Sequence, residues 1–192
     1  MRFQSYVESF LTKGLSMAEK GMNSSKLAAR SRQPGHDQDW KDSETDFIKV
    51  AKQALDADKY EVIPKPDDLR DLFPKEKGDK RDLGIVPEAL IRNKITGKKF
   101  FVEVKRQKDG GNAEERACKH HTVQFYKTMH EKFGYDFHPY VTIMCDALAK
   151  KPIYVRKHPF YFEKNQYFNW VDYEPSILES YLKARCAEWL DH

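Results

Sequence analysis

Phe100-Phe101-Val102-Glu103-Val104-Lys105-Arg106-Gln107 is the run from which the rest of the chain can be read. Its first five residues are aromatic or β-branched apart from one acid, so the run predicts a buried strand. Side chains alternate across a strand, which places Phe101, Glu103 and Lys105 on one face and Phe100, Val102 and Val104 on the other. A carboxylate and an ammonium therefore emerge side by side at the polar end. Residues 89–92 predict a preceding strand, joined to this one through residues 93–98, where Thr96-Gly97-Lys98 is the turn signal. Antiparallel pairing of the two strands brings Glu88, which follows Pro87, close to Glu103.

Two carboxylates and the Val104 carbonyl are hard oxygen donors of the kind Mg²⁺ takes from protein. Mg²⁺ in such a setting polarises a phosphoryl oxygen and activates a water, with Lys105 placed to orient that water or to neutralise developing charge. A Glu-x-Lys triplet alone is weak evidence in a chain that is 33% charged, because it equally describes the solvated end of a strand. The segment behind it, Gly111-Asn112-Ala113-Glu114-Glu115-Arg116-Ala117-Cys118-Lys119, adds the residue types that grip bases and phosphates. Asn pairs in bidentate fashion with adenine, Arg with purine acceptors, and Glu accepts from an exocyclic amine. Gly110-Gly111 allows a close backbone approach. Asn112 is a good N-cap, and residues 113–132 predict a helix that carries Arg116 and Lys119 on one face.

Pro87-Glu88 followed by Glu103-Val104-Lys105 resembles the core of the PD-(D/E)xK nuclease superfamily. Glu103-Val104-Lys105-Arg106-Gln107 with Gly-Asn-Ala-x-Glu-Arg at 111–116 resembles the restriction endonucleases of the MunI and EcoRI type, the MunI-like match being the closer. The resemblance spans roughly residues 60–192. It implies an α/β restriction-endonuclease-like core, a mixed central β-sheet flanked by helices. It further implies a Mg²⁺-dependent Type II enzyme that cuts double-stranded DNA at a palindromic site containing AATT, leaving 5′-phosphate and 3′-hydroxyl ends. Glu88, Glu103 and Lys105 would be catalytic, with Glu88, Glu103 and Val104 holding the metal. Gly111, Asn112, Ala113, Glu115, Arg116, Lys119 and Arg106 would contact DNA. A two-fold symmetric site calls for a homodimer, and a cognate DNA methyltransferase, not a stable subunit, would protect the host.

The chain departs from that pattern in two places. The family's first metal acid is usually Asp, where this chain has Glu88; the extra methylene adds ~1.5 Å, and a misplacement near 1 Å costs about 100-fold in rate. Asp82 is the rival first acid, with a spacing nearer the EcoRI-like arrangement. The connection through Lys108, Asp109 and Gly110 is also short. Two alternatives stay open: a catalytically weakened DNA-binding protein on the same fold, and a repair or junction nuclease of the same superfamily.

At 192 residues the expectation is one nuclease domain, with a helical part over 1–59 and the catalytic and DNA-reading core over 60–192. The net charge of +4 is a mild basic bias compatible with DNA. No apolar run approaches the ~20 residues of a membrane span. The N-terminus has no signal-peptide pattern, so the expected location is the cytoplasm. Cys118, Cys145 and Cys186 are scattered and predict reduced thiols.

The remaining expectations concern single elements. Residues 3–20 predict a helix, 21–42 a loop, and Ser43 caps a helix carrying Phe47, Ile48, Ala51, Ala54 and Leu55. A strand over 60–63 precedes a short helix ending near Phe73 and a charged loop over 74–82. Val123, Tyr126, Met129 and Phe133 are expected to line the inner side of the helix after the reading segment. Residues 140–144 predict an interior strand, 146–152 a loop, 153–155 a short strand and 177–190 a helix. His120 and His121 are expected in exposed or packing roles, and the aromatics Phe160, Tyr161, Phe162, Tyr167, Phe168 and Trp170 in the core.

Overall fold

A computed structural model describes residues 36–80, 84–108 and 111–192. The chain divides into two compact units, Met1–His36 and Asp37–His192. All of the first but His36, with the expected helix over 3–20, lies outside the described residues. The second is built on five strands: β1 (Tyr60–Pro64), β2 (Ala89–Asn93), β3 (Lys99–Gln107), β4 (Tyr140–Asp146) and β5 (Tyr167–Asn169). They lie in the order β1-β2-β3-β4-β5. The first three pair antiparallel and the last two join in parallel, so the sheet is mixed, as expected.

The alternation expected for β3 is the one observed, and it organises the core. Phe100, Val102 and Val104 join Val141, Ile143 and Cys145 of β4 on one face. That face is covered by Phe47 and Ala51 of helix α1 (His36–Ala54), by Leu55 just after it, and by Leu178, Leu182, Cys186 and Trp189 of the C-terminal helix (Pro175–Trp189). The latter starts with Pro175 at its first turn, where the missing N–H costs nothing, and Glu174 accepts from the Ser176 amide at 3.4 Å. On the opposite face Phe101, Leu90 and Tyr140 pack on Leu69, Leu72, Phe125 and Met129. Phe100 and Phe101 are fully buried, each contributing roughly 1.5–3 kcal/mol.

Several expectations are corrected. Helix α1 begins at His36, inside the expected loop, and runs through Ser43, which is buried in its interior and does not cap it. Residues 67–73 make successive turns (Arg70 N–H to Asp67 O, Leu72 N–H to Leu69 O), and no helix forms there. The helix expected over 113–132 is two: α2 (Ala113–Cys118) and α3 (Val123–Phe133), separated by a 3-10 turn over Lys119–His121. Thr122 is extended and caps α3, accepting from the Phe125 amide. That restart shifts the helical phase, so Phe125 and Met129 face the core while Val123 is 74% exposed. After β4 come α4 (Ala147–Lys150) and α5 (Pro152–Val155), where a loop and a short strand are expected, and then α6 (His158–Tyr161). Pro152 and Pro159 sit in the first turns of α5 and α6 and favour that outcome over the β-propensity of Ile153 and Val155. The C-terminal helix completes the series as α7. Of the late aromatics, Phe162 and Trp170 are buried, but Phe160 is 86% exposed.

Candidate active site and DNA-reading segment

The β2–β3 hairpin places the acids. Ala89 pairs with Val102, so one step further sets Glu88 opposite Glu103. The approach to Glu88 is pinned from outside the sheet. Gly84 and Ile85 donate to the carbonyls of Arg70 and Leu69, both at 2.9 Å, and Lys65 donates to the Glu88 carbonyl at 3.0 Å. A Cβ at Gly84 would sit 1.9 Å from the Leu69 oxygen, so glycine alone fits there. Asp82, the rival first acid, lies outside the described residues.

Glu103 and Lys105 are each 8% exposed, form an ion pair, and share the face predicted for them. Tyr140 donates its hydroxyl to the second Glu103 oxygen at 3.2 Å. The Val104 amide donates to Glu88 Oε2 at 3.2 Å, so the longer acid is held by the strand that carries Glu103. Burial, then the hydrogen bond to Glu103 and that neighbour's charge, push the Glu88 carboxyl up to about 9. Burial acts on Glu103 in the same upward direction, but the bond from Glu88 and the charge of Lys105 outweigh it and hold Glu103 well below the usual carboxylate range. The pair thus retains one proton, on Glu88.

That arrangement fits a divalent cation. Two crowded oxygen donors that must share a proton are relieved when a cation takes its place. A strand residue's N–H and C=O point to the same edge, so the Val104 carbonyl opens on the side where its amide meets Glu88. Among the described residues no three His, Cys, Asp or Glu side chains converge. A metal here would be held by two carboxylates and a carbonyl, leaving the rest of its shell to water and phosphate, as suits Mg²⁺.

The DNA-reading candidates sit beyond the end of the same strand. Gly111 has φ +134°, and a Cβ there would lie 3.2 Å from Gln107 Oε1. Gln107, on the same face as Glu103 and Lys105, accepts from the Ala113 amide at 3.0 Å and donates to the Tyr154 hydroxyl at 2.6 Å. Asn112 occupies the N-cap position of α2, yet its side chain makes no capping bond. Asn112, Glu115, Arg116 and Lys119 are exposed, and Ala113 is buried. Arg106 projects from the other face of β3 and is ion-paired to Asp146, so the structure does not bring it to Glu103 and Lys105. Lys108 is exposed; Asp109 and Gly110 lie outside the described residues. His120 is buried, its ring 4.6 Å from that of Tyr140, and desolvation lowers it to about 4, consistent with packing.

Tyr140, Gln107 and Tyr154 are the site residues that sequence reasoning missed. Tyr140 meets Glu103 because β4 runs parallel to β3 with Phe101 beside Tyr140, a register that no local signal reports.

A family model described as Type II restriction enzyme MunI matches residues 22–191 of the chain. Among solved structures the chain is similar to the crystal structure of MunI restriction endonuclease in complex with cognate DNA. The TM-score is 0.61 at 20% identity, covering 77% of this chain and 96% of that one. No curated protein matches the chain.

Proposed function

This chain belongs to the MunI family of Type II restriction enzymes, which are site-specific deoxyribonucleases, and we propose that it cuts a palindromic duplex containing AATT in a Mg²⁺-dependent reaction. The observation that carries this reading is the convergence of Glu88 and Glu103 beside Lys105, at the end of the strand that leads into the Gly111–Arg116 segment. Glu103 and Lys105 lie on β3, Glu88 is brought to them from just before β2, and the proposed readers follow the C-terminal end of β3 within a few residues.

Glu88, Glu103 and the Val104 carbonyl would hold Mg²⁺, which when bound neutralises phosphoryl charge and acidifies water. Tyr140 fixes the second oxygen of Glu103, leaving its other oxygen to Lys105. Lys105 is positioned to orient the attacking water and to neutralise charge as the phosphoryl group becomes pentacoordinate. The proton that Glu88 holds must leave before both carboxylates can act as anions.

Asn112, Glu115 and Arg116, with Gly111, Ala113 and Lys119, are the proposed readers of the inner bases. Exposure of the first three, and an Asn112 side chain that does not cap its helix, support this. The related solved structure is a complex with cognate DNA, which supports duplex DNA as the partner. A palindrome read by one chain per half-site requires a homodimer, and host DNA would be protected by a separate methyltransferase. Arg106 is the weakest of the proposed contacts, since reaching DNA requires it to leave Asp146. The test is a specificity measurement: Arg116→Ala should lower discrimination between cognate and single-mismatch duplexes by ~1–3 kcal/mol, whereas unchanged discrimination would remove Arg116 from base reading.

A further inference from the structure

Resting on this functional reading, we propose that residues 150–161 form a second DNA-contact surface that grips backbone phosphates outside the recognised sequence. Strands β3 and β4 are parallel, so the segments leaving their C-terminal ends emerge at the same edge of the sheet. One is the reading segment; the other is the run of short helices α4 to α6. They are fastened together. Tyr154 accepts from Gln107, which also holds the Ala113 amide. Glu114 of α2 lies 3.7 Å from Lys157 and 3.6 Å from His158. Leu148 and Phe162 pack on Ala113 and Ala117.

The outer surface of this run is basic and partly apolar. Lys150, Lys151, Arg156 and Lys157 are all exposed, and residues 147–162 contain no Asp or Glu. Phe160 is 86% and Ile153 57% exposed. Lys150 is paired with Asp172, but both partners are exposed, and a pair of that kind is too weak to withhold the lysine from a phosphate. Cations with an exposed aromatic among them match a phosphodiester backbone, with its sugars offering an apolar surface. Position favours DNA outside the site. The six residues of α2 span roughly 9 Å at 1.5 Å per residue, close to the roughly 10 Å of a three-base-pair half-site. With α2 laid along a half-site, the run beside it would meet phosphates beyond that half-site.

The experiment compares the wild type with Lys150→Gln/Lys151→Gln/Arg156→Gln and with Phe160→Ala, using Ca²⁺ in place of Mg²⁺. Binding is measured to a duplex of the site with two flanking pairs per side and to one with twelve. The wild type is expected to prefer the long duplex by at least about 10-fold, and the triple variant to lose that preference while keeping its affinity for the short one. Its salt slope on the long duplex should fall by about 2–3, near 0.9 per lost contact. Phe160→Ala should lose part of the preference with the salt slope unchanged. A triple variant that keeps the full preference overturns this inference alone. So does a variant that changes oligomeric state, which would make the surface a contact between copies. A wild type that binds neither duplex overturns the functional reading and this inference with it.

Discussion

Glu88 reaches the site with one methylene more than an aspartate, and the Val104 amide holds its tip. The consequences of that placement can be measured without DNA. Burial and Glu103 raise the Glu88 carboxyl to about 9, so Mg²⁺ bound as proposed would have to displace a proton. Apparent Mg²⁺ affinity should rise as pH rises through neutrality towards about 9 and level off above that. Calorimetric titrations in buffers of different ionisation heat should show about one proton released per site at pH 7; zero release would contradict the shared proton. Lys105 and Glu103 belong to the same scale. Lys105→Ala and Glu103→Ala should each lower cleavage by at least about 100-fold while specific binding of the duplex survives. A Lys105→Ala protein that cuts at the normal rate would remove Lys105 from the reaction.

Among the elements, β3 was the most legible. Its alternation, its apolar length and the Thr96-Gly97 turn predicted both the buried strand and the hairpin register that sets Glu88 against Glu103. The segments beyond β3 were harder to read because tertiary contacts outweigh local pattern. Thr122 breaks the expected long helix, and the helical phase restarts there, which turns Val123 outward and Phe125 inward. Ile153 and Val155 favour strand by type, but two prolines placed at first turns give short helices. Tyr140 and Tyr154 entered the site through a parallel pairing and a long-range bond, for which a sequence has no periodic signature. Two substitutions test these elements. Gly84→Ala puts a Cβ 1.9 Å from the Leu69 oxygen. It should cost on the order of 1–3 kcal/mol in thermal or denaturant unfolding, and in the folded fraction it should slow cleavage by displacing Glu88. Arg116→Ala should lower discrimination by ~1–3 kcal/mol, measured as the ratio of affinities for cognate and single-mismatch duplexes.

For the whole molecule, the proposed palindromic site, read by one segment per chain, would require two copies. Light scattering on the eluting protein should give twice the 22.6 kDa chain mass; a monomer that still cuts both strands in one encounter would contradict the symmetric arrangement. The central claim joins the metal site to the reading segment in one reaction, and one digest tests it most directly. A plasmid rich in AATT-containing hexamers is incubated with the protein, with and without Mg²⁺, and the fragment ends are sequenced. The account predicts discrete fragments in the Mg²⁺ tube alone, whose ends share one palindromic motif containing AATT and carry 5′-phosphates. Fragments with no common motif, or an uncut plasmid from folded dimeric protein with Mg²⁺ present, would contradict it.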